Sequence, residues 1–186
     1  MHTGHANDGL LTEHATPTSH ISLPATFVLE PGVFGGVESQ LATDGRTVFA
    51  AVNNLAATMT VKGLAENSKA FQASIAKATG EMVAVSQDTG KVIWDDKLPS
   101  SPYGAATVTG GVVFTTTYSG YLCAFNAANG ALLLKTPLSS GSNSPVAVDG
   151  DYVIVAAGVQ APKGDKQLII AYKLGARGRL PDTVAP

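Results

Sequence analysis

The stretch Gly80-Glu-Met-Val-Ala-Val-Ser-Gln-Asp-Thr-Gly-Lys-Val-Ile-Trp94 recurs 40 residues on as Gly120-Tyr-Leu-Cys-Ala-Phe-Asn-Ala-Ala-Asn-Gly-Ala-Leu-Leu-Leu134. Gly80 and Gly120, Ala84 and Ala124, and Gly90 and Gly130 fall in register. Each copy reads as strand, tight turn, strand. Asp88-Thr-Gly90 and Ala128-Asn-Gly130 are turn chemistry, because glycine accepts the positive φ that closes a hairpin. A second module keeps the same period: Val108-Thr-Gly110-Gly-Val-Val-Phe-Thr115 matches Val148-Asp-Gly150-Asp-Tyr-Val-Ile-Val155. A third copy lies upstream in Thr43-Asp-Gly45-Arg-Thr-Val-Phe-Ala50. There the step from Gly45 to Gly110 is 65 residues rather than 40, so the first unit carries 25 extra residues between Asn54 and Gly80. Leu64, Phe71 and Ile75 keep a loose helical rhythm in that insertion, and Gly80 is placed to cap its end, which predicts a loop with a short helix.

Each unit therefore holds four short strands, clearest in the second: Ala105–Val108, Val112–Thr117, Tyr121–Asn126 and Ala131–Lys135. Four strands per roughly 40 residues is the arithmetic of a β-propeller blade. The expected fold is all-β, a partial propeller of about three four-stranded antiparallel blades. Residues 1–33 form an N-terminal segment, either a tail or a remnant strand. Residues 34–97 make the first blade with an insertion at about 55–79, 98–138 the second, 139–175 the third, and 176–186 a C-terminal tail. In the third unit the strand Gln167–Lys173 meets Gly-Ala-Arg-Gly-Arg-Leu-Pro, so a fourth strand is missing or degenerate. The competing architecture is an antiparallel sandwich with fortuitously similar hairpins.

Composition narrows the function classes. Hydrophobic residues make up 45% and charged residues 14%, enough apolar material to bury a core. A net charge of −2 and the lack of any Lys/Arg cluster leave no electrostatic footprint for nucleic acid. No apolar run reaches the roughly 18 residues of a membrane helix, and the polar start is no signal peptide. Cys123 is the only cysteine, so no disulfide forms within the chain, and its strand setting predicts a buried, inert thiol. His2, His5, His14 and His20 match no zinc spacing and predict a polar tail or the remnant of a preceding blade. No Gly-x-Ser-x-Gly elbow occurs.

The pattern Gly80, Ala84, Thr89, Gly90, Trp94 resembles the tryptophan-docking repeat of PQQ-type propellers. The stretch from Leu98 through Tyr103-Gly-Ala-Ala-Thr-Val-Thr-Gly110 to Gly130 is similar to the C-terminal blades of quinoprotein alcohol dehydrogenases, as is Ser142-Asn-Ser-Pro-Val-Ala-Val148. Gly35-Gly-Val-Glu38 resembles a blade opening of the same family. The resemblance spans about residues 34–175. It implies PQQ and calcium in a central funnel, an alcohol as hydride donor, and a periplasmic or extracellular location. That family uses a catalytic aspartate, a calcium-binding Glu/Asn set and often adjacent cysteines. The last cannot exist here, and none of the others is placed by the matched residues. Tyr103-Gly104 stands where the dehydrogenases commonly carry a quinone-contacting Trp-Gly pair, and Leu134 replaces the docking tryptophan of its repeat.

Glu38, Tyr103 and Asn143 precede the innermost strands of three successive units. Equivalent propeller loops converge on the funnel mouth, so these three, with Gly104, are the candidate cofactor-binding residues. A solvated polar rim is the plainer account of the same positions. Asp44, Asp88, Asp149 and Asp151 belong to turns.

Three units are too few to close a ring, leaving two terminal faces bare. Self-association, or further blades from another segment or chain, is therefore expected. Three functions follow from this reading: part of a quinoprotein dehydrogenase funnel, a non-catalytic PQQ-like scaffold for binding or assembly, or a propeller-type hydrolase such as a lactonase.

Overall fold

Hairpins dominate because β-branched and aromatic runs alternate with glycine turns at short, regular intervals. The computed structural model describes residues 26–60, 63–64, 75, 77–159 and 167–177. The first four-stranded sheet joins β2 (Ala42–Thr43), β3 (Thr47–Asn54), β6 (Thr79–Ser86) and β7 (Val92–Leu98) in that order. The second is the plain meander β8 (Thr107–Thr109), β9 (Val112–Thr116), β10 (Tyr121–Asn126), β11 (Leu132–Pro137). The third sheet has three strands, β12 (Ala147–Asp149), β13 (Tyr152–Ala157) and β14 (Leu168–Lys173). A separate three-stranded sheet has the order β1 (Thr26–Leu29), β4 (Ala57–Thr60), β5 (Gly63–Leu64).

The repeat survives in atomic detail. Gly90 N donates to Ser86 O and Gly130 N to Asn126 O, both at 2.9 Å. Their φ angles are 67° and 76°. The register slips between Ala84 and Val85 in one sheet and between Ala124 and Phe125 in the next. The same bulge therefore recurs one period later.

Packing decides between stacked blades and a sandwich. Pairing puts Phe49 beside Ala84, Ala51 beside Met82, and Ala84 beside Trp94, so these side chains share one face of the first sheet. That face meets Val113, Cys123 and Phe125 of the second sheet in one core. The other face of the second sheet gives Leu122 to a core with Val146, Val155, Ala157 and Ile170 of the third. The middle sheet is thus buried on both sides, and Leu122 through Phe125 form an unbroken buried run instead of an alternating one. A two-layer sandwich would have left one of those faces to water. The first strands β2 and β8 touch, as inner strands of neighbouring blades must.

Trp94 holds the first junction. Its indole Nε1 donates to Ala127 O at 2.9 Å, and its ring lies 5.9 Å from Phe49 and 6.3 Å from Phe125 between centroids. Gly130 permits this approach, because a Cβ there would fall 2.9 Å from the indole ring. The second junction has no such clamp: Leu134 stands at the tryptophan position and is exposed, along with Leu132 and Leu133.

Several expectations change. The insertion is not a plain loop, since Ala57–Thr60 extends into β4 and pairs antiparallel with Thr26–Leu29. Its Thr-Met-Thr pattern found a partner in a strand some thirty residues upstream in the chain, which local periodicity does not register. Ile75 and Lys77 are helical, but Leu64 falls in β5, where it pairs with Met59, and Phe71 lies outside the described residues. The opening strand of the second sheet starts at Thr107, not Ala105, because Ala105 takes φ 57° and Ala106 N is already bonded to Gln40 O. The two terminal faces are not both bare: Ala50, Val52 and Val83 on the far face of the first sheet are buried. All four histidines lie outside the described residues.

Cys123 is buried, and burial pushes its thiol up to about 11, so the sulfur stays protonated and unreactive at neutral pH.

Candidate functional site

In an antiparallel meander the connection between second and third strands and the connection to the next sheet emerge at the same end. Loops 99–106 and 138–146, the turn at 117–120 and, from the β3–β6 connection, Leu55 and Ile75 therefore gather at one rim. Glu38, Tyr103 and Asn143 stand 65 and 40 residues apart, the same two steps that separate Gly45, Gly110 and Gly150. Repeat symmetry brings them together. All three line one cavity of about 520 Å3, with Ser39, Gln40 and Pro145.

A smaller alcove of about 240 Å3 opens beside it, lined by Phe34, Leu55, Ile75, Tyr103, Tyr118 and Asn143. Tyr103 and Asn143 belong to both. The pair forms a boundary between a polar chamber and an apolar one, a layout suited to a ligand with an apolar body and a polar head. Tyr118, Phe34, Leu55 and Ile75 were not among the candidate site residues read from sequence. The position of Tyr118 in the β9–β10 turn, on the same rim by topology, was the available signal.

Tyr103 is held tightly. Its hydroxyl donates to Phe34 O at 2.7 Å, and its ring meets Tyr118 edge-on at 5.7 Å. Burial, then the charge of Glu38 and the neighbouring Tyr118, pushes its phenol up to about 12. Burial also raises Tyr118. Both rings are neutral at pH 7. The folded state thus favours the protonated Tyr103, and this contribution is fully present below pH 10 and lost as pH rises through about 12. Thermal melts from pH 8 to 12 are expected to fall more steeply above pH 10 for the wild type than for Tyr103→Phe. Parallel curves would contradict the assignment.

Gly104 lines neither cavity. It is buried, its N–H donates to Thr116 O at 3.1 Å, and it lets the loop lie flat on Thr116. Thr116 in turn hydrogen-bonds Ser144 O and shares a bond with Ser142 Oγ, each at 3.0 Å. Tyr118 N donates to Ser101 O at 2.9 Å, and Ser142 N to Thr117 O at 3.1 Å. Thr116 and Ser142 are almost fully buried. This satisfied hydroxyl network locks the loops that carry Tyr103, Tyr118 and Asn143.

The donor set also limits what the cavity can hold by itself. Glu38 is the only carboxylate among its lining residues, and neither Lys nor Arg lines it. Among the described residues no three His, Cys, Asp or Glu side chains cluster to hold a metal. Calcium takes six to eight oxygens, so calcium and an anionic quinone such as PQQ are not accommodated by these residues alone.

The stacked sheets and shared rim define a segment of β-propeller. A family model described as "Outer membrane protein assembly factor BamB" matches residues 78–174, just over half of the chain, and the chain belongs to this PQQ-like propeller-repeat family. Among solved structures it is similar to the quinohemoprotein alcohol dehydrogenase from Comamonas testosteroni, with 20% identity, TM-score 0.63, and coverage of 85% of this chain. It is also similar to quinohemoprotein alcohol dehydrogenase ADHIIG from Pseudomonas putida HK5, with 18% identity, TM-score 0.64 and coverage of 86%. A europium-containing methanol dehydrogenase aligns at 17% identity and TM-score 0.51 over 74% of the chain. The chain spans 29% of the length of each of these proteins. At such identities the likeness establishes the fold. None of the curated proteins matches the chain in sequence.

Proposed function

We infer that the chain forms part of the funnel wall of a quinoprotein-dehydrogenase-like propeller and supplies its alcohol-facing surface. The carrying observation is the convergence of Glu38, Tyr103 and Asn143 on one cavity beside an apolar alcove. Phe34, Leu55, Ile75 and Tyr118 would enclose the alkyl or aryl body of an alcohol. Asn143 and Glu38 would hold its hydroxyl, through an amide N–H and a carboxylate oxygen. Tyr103, committed to Phe34 O, orients the body rather than exchanging a proton.

The test is NMR titration of the full chain with benzyl alcohol. Tyr103 and Tyr118 resonances should shift saturably, and Tyr118→Ala should weaken binding roughly tenfold. Unmoved tyrosine resonances would end this reading.

A second reading, a non-catalytic scaffold for assembly, draws support from the description of the matching family model. It predicts a captured protein partner and indifference to alcohols.

A further inference from the structure

The apolar alcove is also an aromatic one. Three of the side chains that line it are rings, Phe34, Tyr103 and Tyr118, beside the aliphatic Leu55 and Ile75. The planes of Tyr103 and Tyr118 meet at 67° with centroids 5.7 Å apart, so these two rings make a corner and not a stack. The corner is pinned, because the Tyr103 hydroxyl is bonded to Phe34 O. An aromatic face is negative and attracts a cation lying within about 6 Å of its centroid, and rings set at an angle around a small apolar volume hold quaternary ammonium groups in this way. The adjoining chamber adds Glu38, which carries the single formal charge among the residues lining the two cavities. Its field reaches the alcove, since it helps to keep the Tyr103 phenol protonated.

On the alcohol-facing reading of this rim, we propose that the preferred ligand is an alcohol whose body is a quaternary ammonium group. The methylated nitrogen sits in the corner of Tyr103 and Tyr118, and the hydroxyl sits at Asn143 in the polar chamber. Tyr103 and Asn143 line both chambers, so a short link between nitrogen and hydroxyl is enough. A neutral alkyl body gains only apolar contact from these walls. A quaternary ammonium gains the same contact through its methyl groups, and the ring faces and the Glu38 carboxylate attract its charge besides. A primary ammonium would bring three N–H donors that ring faces and aliphatic walls do not satisfy.

The test is NMR titration of the full chain with choline and with its tert-butyl analogue, in which an uncharged carbon replaces the nitrogen. Choline should shift the Tyr103 and Tyr118 ring resonances saturably and bind roughly tenfold or more tightly than the analogue. The ratio is read on the wild type, so it depends on no variant folding. Tyr118→Leu keeps an apolar wall without a ring and should bring the two affinities close together. Glu38→Gln should lower the ratio in the same direction. Equal affinities in the wild type, with benzyl alcohol still bound, would overturn the quaternary ammonium preference and leave the alcohol reading standing. Tyrosine resonances unmoved by choline, its analogue and benzyl alcohol alike would sink both.

Discussion

Trp94→Ala is expected to lower stability by about 3–5 kcal/mol, the range for removing a buried large aromatic. Three effects add. The indole leaves a void between Phe49 and Phe125, the Ala127 carbonyl loses its donor, and the Gly130 turn loses the ring it lies against. The void opens between two sheets, where only sliding of whole sheets would fill it. The loss should therefore fall at the upper end of the range, and chemical denaturation should show a lower midpoint. Trp94→Phe keeps much of the area but not the N–H, so it should recover most of the deficit. A Trp94→Ala midpoint equal to that of the wild type would mean the first two sheets are held by other contacts.

Gly104→Ala is expected to be nearly as damaging, at about 3 kcal/mol, the upper range for overpacking. An added Cβ would fall 1.9 Å from Thr116 Oγ1 and 2.7 Å from Thr116 N. The hydroxyl could rotate away only by leaving Ser142 and Ser144, and the backbone nitrogen cannot move without displacing β9. The effect should reach the site as well, because Tyr103 and Ala105 flank this residue. Loss of the Tyr103 resonance shift with benzyl alcohol should accompany the lower melting temperature. A folded Gly104→Ala variant with wild-type stability would show that the loop tolerates lifting off Thr116.

Gly104 has a packing role in its loop, lying against Thr116. In the fold its backbone turns inward and serves packing. Tyr103 and Asn143 are different: their equivalence under the repeat step places them at one rim, and the cavity between them follows from that symmetry. The apolar alcove was less legible. Leu55 and Ile75 come from the insertion and Phe34 from the segment before the first sheet, none of which obeys the period.

The amino-acid order by itself determined the 40-residue step, the glycine turns that close each hairpin, and the tryptophan that reaches into the next unit. These are local features, written in residues a few positions apart and repeated. Only the tertiary structure decided that β4 pairs with both β1 and β5, that Tyr118 joins the rim, and that the far face of the first sheet is buried. Those outcomes depend on contacts between segments distant in the chain, whose pairing energy no local pattern encodes.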